Sequence, residues 1–313
     1  MSGSGTARKL GGFGLALVVA FAAAYGIGQA VGPVAAEPEQ PAAEHGDMDA
    51  DMGEGSGDGH GAGHGGAVTA GAPKGLQVTA DGLTLDVLTP AATAGAHTDF
   101  AFRIVDDHGA PVTRFVPTHD KLMHLVLARR DLSGFQHVHP VMAGDGTWHL
   151  PLTFAAAGDY RVFADFQAAG HDEAVTLGSD VAVAGTYRPV PLPGPRLTAT
   201  VDDYRVTLSG RLVPGTTSKL TLSVEKSGTP VTDLQPYLAA YGHLIALRQG
   251  DLAYLHVHPD GEPGDGTTSP GPAITFYAEV PSAGTYRLYL DFRHGGVVRT
   301  AEFTAVAEPH EEK

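Results

Sequence analysis

The sequence predicts an all-β protein built from two tandem β-sandwiches, preceded by an N-terminal transmembrane or signal helix and a disordered linker. Three observations carry this. From Leu76 onward, short apolar runs alternate with polar residues. Turn residues interrupt those runs about every 8–12 positions, the spacing of sandwich strands. The second half of the chain also repeats the first. No long stretch with helical period follows residue 36.

Residues 1–36 begin with Arg8 and Lys9, followed by an apolar run over 10–31. A basic start ahead of such a run means export with the N-terminus left inside. Val34-Ala35-Ala36 resembles a cleavage site, but the run is long enough to span a bilayer, so a single-pass anchor is expected, with secretion as the alternative. Residues 37–74 lack aromatics and apolar periodicity, so they cannot bury a core and read as a disordered spacer. His45, Met48, Met52, His60 and His64 stand there among carboxylates, a composition that also suits a loose metal-gathering tail.

The first sandwich is expected over 75–186 and the second over 196–308, joined by the stiff TYRPVPLPGPR (186–196). Runs such as FAFRIV (100–105), HLVLA (124–128), YRVFADF (160–166), KLTLSV (219–224) and YRLYLDF (286–292) mark strands. Residues 109–140 align without a gap to 228–259 at a constant offset of 119, and 158–166 align to 284–292 at an offset of 126. The second copy therefore carries seven extra residues in its PDGEPGDGTTSPGP loop. Tyr160 and Tyr286, each two residues after a glycine, match the tyrosine corner of Ig-like sandwiches.

Composition narrows the function. With 20 Lys+Arg against 35 Asp+Glu the formal net charge is -15, which speaks against a nucleic-acid partner. Cysteine is absent, so any metal must be held by His, Met, Asp or Glu. There is no GxSxG, P-loop or HExxH, and no enzymatic activity is expected.

Both copies contain HVHP, preceded by a third matching histidine: His124, His137 and His139, then His243, His256 and His258. In a strand, residues i and i+2 share a face about 7 Å apart, so HxH presents two rings together. If the strand from His243 turns back into the strand ending at His258, the hairpin centres between Gly250 and Asp251, and the first between Asp131 and Leu132. Two-residue turns there would set His243 opposite His258 and His124 opposite His139. Three imidazoles would then converge in each domain on a copper or zinc ion, leaving a position for water or a carboxylate. The other reading is that the histidines only pack and that HVHP is a strand end stopped by proline. Asp165 and Asp291 match between copies and are candidates for a carboxylate ligand or a partner to an imidazole. His119 and Asp120, replaced by Leu238 and Ala239 in the second copy, would enlarge only the first site; His171 and His294 do not align.

The runs HDKLMHLVLARRDLSGFQHVHP and LQPYLAAYGHLIALRQGDLAYLHVHP resemble those of exported actinobacterial proteins with YtkA-like domains, Ig-like sandwiches in the style of FixH and CopC domains. The resemblance covers 100–184 and 212–307 and implies metal binding or copper delivery rather than catalysis. Unlike typical copper carriers, the chain has no Met-rich motif inside the folded domains. The expected protein buffers copper or zinc outside the cytoplasm or hands it to an exported acceptor. The alternative is a non-catalytic interaction module that binds a partner protein.

Overall fold

The computed structural model describes residues 73–308 apart from His256; the anchor and the His/Met tract of the linker lie outside the described residues. The described residues contain strands only, and none of their segments is a helix long and apolar enough to cross a membrane. The first sandwich comprises β1 (Thr79–Ala80), β2 (Leu83–Val87), β3 (Ala91–Thr93), β4 (His97–Asp106), β5 (Phe115–Val116), β6 (His124–Arg129), β7 (Gln136–Val138), β8 (Val141–Met142), β9 (Trp148–Thr153), β10 (Gly158–Ala168) and β11 (Val175–Ala184). The second comprises β12 (Thr198–Val201), β13 (Tyr204–Ser209), β14 (Thr216–Lys226), β15 (Thr229–Pro230), β16 (Gly242–Arg248), β17 (Tyr254–Leu255), β18 (Val257–Pro259), β19 (Ala273–Val280), β20 (Gly284–His294) and β21 (Val297–Ala307).

In the first sandwich, sheet β1-β2-β4-β9-β8 faces sheet β3-β11-β10-β6-β7; in the second, β12-β13-β14-β19-β18 faces β17-β16-β20-β21. The alternation seen in the sequence becomes burial: WHLPLT of β9 alternates buried and exposed along its length. Phe100, Phe102, Trp148 and Phe166 fill the first core, and Val206, Phe276, Leu288 and Phe303 the second. Both tyrosine corners form, with Tyr160 donating to the Ala156 carbonyl at 3.1 Å and Tyr286 to that of Ser282 at 2.9 Å. The expected fold class is therefore the observed one: two tandem Ig-like sandwiches.

Strand β6 is buried at all six positions, and β16 at every position but its last. Leu125 and Leu127 point into their own core, whereas Val126 and Ala128 point outward into a third apolar cluster. Ile245, Leu247 and Tyr289 of the second sandwich complete that cluster, so the two domains pack against each other through these sheets. The contact is reciprocal. Phe135 stacks on Tyr289 with centroids 4.0 Å apart, and the matching residues Tyr254 and Phe163 meet at 5.5 Å. The Tyr289 hydroxyl donates to the Leu132 carbonyl at 2.6 Å.

The hairpin register agrees with the midpoint argument, but the expected two-residue turns do not form. Leu125 pairs with Val138 and Val126 with His137, the register that sets His124 against His139. The connection is six residues long in the first copy and five in the second. An arginine–carboxylate clamp explains this: Arg129 bonds Asp131 through both carboxylate oxygens, at 2.9 and 2.7 Å, and Arg248 grips Asp251 in the same way. Arg129 and Arg248 differ by 119, Asp131 and Asp251 by 120, so the gapless alignment hides two compensating one-residue shifts inside this loop.

Candidate metal centre

The end of the β6–β7 hairpin brings His124, His137 and His139 together, with one ring nitrogen of each within 4.8 Å of the others. His124 starts β6, where pairing with Asp165 of β10 fixes its backbone, and His137 lies on β7 opposite Val126. His124 Nδ1 lies 3.2 Å from His137 Nε2 and 3.2 Å from His139 Nε2.

The outward nitrogens determine what those short distances mean. His124 Nε2 donates to the Thr118 carbonyl at 2.9 Å, so its proton is on Nε2 and Nδ1 presents a lone pair. His137 Nδ1 donates to an Asp291 carboxylate oxygen at 2.9 Å, which in the neutral ring leaves the Nε2 lone pair facing His124. Two lone pairs 3.2 Å apart repel unless a proton or a metal ion lies between them. A proton on His139 Nε2 would satisfy only one at a time. A cation satisfies all three: tetrahedral coordination with metal–nitrogen bonds near 2.0–2.1 Å puts ligand nitrogens about 3.3 Å apart. The set of donors therefore fits copper or zinc.

The surroundings keep His124 and His139 neutral. Burial pulls His124 down to about 3 against the opposing pull of the Thr118 carbonyl, and burial with the neighbouring His137 and His124 takes His139 to about 3. Both are ready donors at neutral pH. The carboxylate–histidine pair is shut off from water, the His137 side chain being 4% exposed and that of Asp291 5%. Thr300 donates to the other Asp291 oxygen at 2.6 Å and fixes the carboxylate in turn. Asp291 comes from β20 of the second sandwich, so the centre is held by one domain and braced by the other.

The other candidates fall elsewhere. His243 repeats the environment of His124, its Nε2 donating to the Tyr237 carbonyl at 2.8 Å, and burial takes it to about 4. The expected opposition of His243 and His258 does not form. After Leu255 the second strand leaves β16 for the other sheet, where His258 of β18 pairs with Tyr277 of β19 and is exposed. In the first copy the crossing comes later, at Val141 of β8. The longer loop of the second copy accounts for the difference: it leads into an eight-residue β19, where the first copy has a six-residue β9. His256 lies outside the described residues, and the only three-ligand group among the described residues is in the first domain. Asp291 braces a ligand rather than joining the cluster, and it does so from the other domain, which no local pattern in the sequence signals. Asp165 accepts from Thr176 at 3.0 Å and belongs to no ligand group among the described residues. His294 is tied to Tyr204 and Asp233, and the His171 carbonyl accepts from Gln167, both structural roles.

A family model described as "Domain of unknown function (DUF8832)" matches the chain twice, over residues 77–183 and 199–309. No curated protein matches. Among solved structures, the chain is similar to the Escherichia coli adhesin FdeC at 17% identity and TM-score 0.24, covering 74% of this chain and 65% of the adhesin, just under two thirds of its length. A putative membrane anchored protein from Corynebacterium diphtheriae is 12% identical, with TM-score 0.21, 75% of this chain and 60% of that one covered. A Salmonella alpha-2-macroglobulin is 14% identical at TM-score 0.25, with 79% and 16% covered.

Proposed function

The chain belongs to the DUF8832 family, and from the centre its two domains build together we propose that it is a metal-binding protein acting outside the cytoplasm, taking one copper or zinc ion at His124, His137 and His139. The observation that carries this is the pair of ring nitrogens 3.2 Å apart, each on a ring whose other nitrogen is held by an acceptor on its far side. His124, His137 and His139 hold the ion. The Thr118 carbonyl and Asp291 hold the rings, and the bound metal supplies Lewis acidity or, as copper, redox capacity.

The role is buffering or delivery to an exported acceptor protein. The basic start and apolar run of residues 8–31 support export and a membrane anchor, and the His/Met residues at 45–64 suit a tract that gathers ions for the folded centre. The YtkA-like resemblance favours copper. Competition titration of the full chain tests the reading. His137→Ala with His139→Ala should lose one tightly held ion per chain, and Cu(II) in the parent protein should show nitrogen superhyperfine splitting in its EPR spectrum. An unchanged stoichiometry in the double variant would sink it and leave the interaction module.

A further inference from the structure

Two of the three ligands have buried side chains, His124 being 6% exposed and the His137 side chain 4%, while His139 is partly exposed; an ion needs a path to the first two. One cleft, about 160 Å³ in volume, is lined by both of these ligands and also by His119 and His243. The latter two rings stand with centroids 5.4 Å apart. From His119 the ring of His124 is 6.1 Å away, and from His243 the ring of His137 is also 6.1 Å away. His243 Nε2 is engaged by the Tyr237 carbonyl, which leaves Nδ1 with a lone pair. His119 is solvent-exposed on a tight turn, with φ 49° at His119 and 63° at Asp120. That turn is fastened to the centre, because the Thr118 carbonyl accepts from both Lys121 N and His124 Nε2.

We propose that His119 and His243 form a transfer position, an imidazole pair through which a copper or zinc ion passes between solvent and the three-histidine centre. The inference rests on the metal-binding reading above. An incoming ion exchanges water for these two nitrogens first and then moves one ring's distance inward, so no step requires a bare ion. The second copy has Leu238 where the first has His119, and only the first copy's histidines are gathered among the described residues.

The fold supplies its own test substitution. Leu238 occupies the matching turn at φ 53°, closed by the same reciprocal backbone bonds between Tyr237 and Ala240, so His119→Leu is compatible with the turn. In the full chain, uptake from Cu(II)-glycine and release to excess EDTA are followed by stopped-flow absorption in the copper d–d band. His119→Leu should slow both at least tenfold while the dissociation constant stays within threefold, because a gateway changes both rates alike. His108→Ala, at an exposed histidine elsewhere, should leave both rates at the parent value. Unchanged rates in His119→Leu overturn the transfer position. Faster release with weakened affinity also overturns it and makes His119 a ligand. A parent protein that takes up no stoichiometric Cu(II) removes the metal-binding reading itself, an outcome distinct from either.

Discussion

Replacing Asp291 by Asn tests whether the second domain holds the first domain's centre. The side chains are isosteric, and the amide can keep its contact with Thr300, so the packing should survive. What goes is the negative charge 2.9 Å from His137 Nδ1, in a pair only 4% and 5% exposed. Hydrogen bonds to charged groups are worth about 1.5–3 kcal/mol and neutral ones about 0.5–1.5, so the loss is about 1–1.5 kcal/mol, or roughly tenfold in affinity. If the amide N–H turns toward His137 it also favours the wrong tautomer, with a proton on Nε2 facing the ion, and the loss approaches about a hundredfold. Competition against a chromophoric chelator should therefore show metal affinity lowered by about 10–100-fold. Asp165→Asn, at the matching position but bonded to Thr176, should stay within about threefold of the parent. Parent-like affinity in Asp291→Asn, or an equal loss in Asp165→Asn, would refute the cross-domain brace.

Other outcomes follow from the same geometry. Metal at a hundredfold excess over its dissociation constant should stabilise the fold by about 2.7 kcal/mol, raising Tm by about 5–10 °C in differential scanning calorimetry, and the shift should vanish in the His137/His139 double variant. Tyr289→Ala removes a fully buried ring from between the sandwiches and should cost about 3–5 kcal/mol, splitting one unfolding transition into two in urea. At Asp131, burial raises the carboxyl pKa, but the Arg129 clamp, the Val190 N–H and Ser133 outweigh it and hold it at about 2. Because that value lies below the ordinary carboxylate pKa, the stabilisation of about 2 kcal/mol is present above about pH 4 and lost as pH falls through about 2. Urea unfolding at pH 5 and pH 2.5 should show that Asp131→Asn loses most of this difference.

Local periodicity was enough to read the sandwiches and the duplication from the sequence, and the hairpin midpoint placed His124 against His139. What it missed has three physical sources. The runs HLVLA and HLIALR break the apolar–polar alternation, and such unbroken runs mean burial on both faces, but no local pattern says what covers the outer face. The turns differ from the two-residue form because the arginine–aspartate clamp, not the turn type, sets the loop length. The Asp291–His137 contact joins residues 154 positions apart, and only the docking of two domains creates it. His258 shows the limit of copying, since a lengthened loop moved one strand to the other sheet while its four-letter motif stayed intact.

The reciprocal packing of Phe135 on Tyr289 and Tyr254 on Phe163 has a further consequence. A face that docks on its own duplicate offers two equivalent places at the seam, and within one chain each half is free to drift without losing its mate. Here the halves share the work unequally. One supplies the donor atoms, and the other keeps the carboxylate that steadies them. Cutting the chain between its repeats would therefore yield a first half with three histidines and nothing to hold His137 in the binding tautomer.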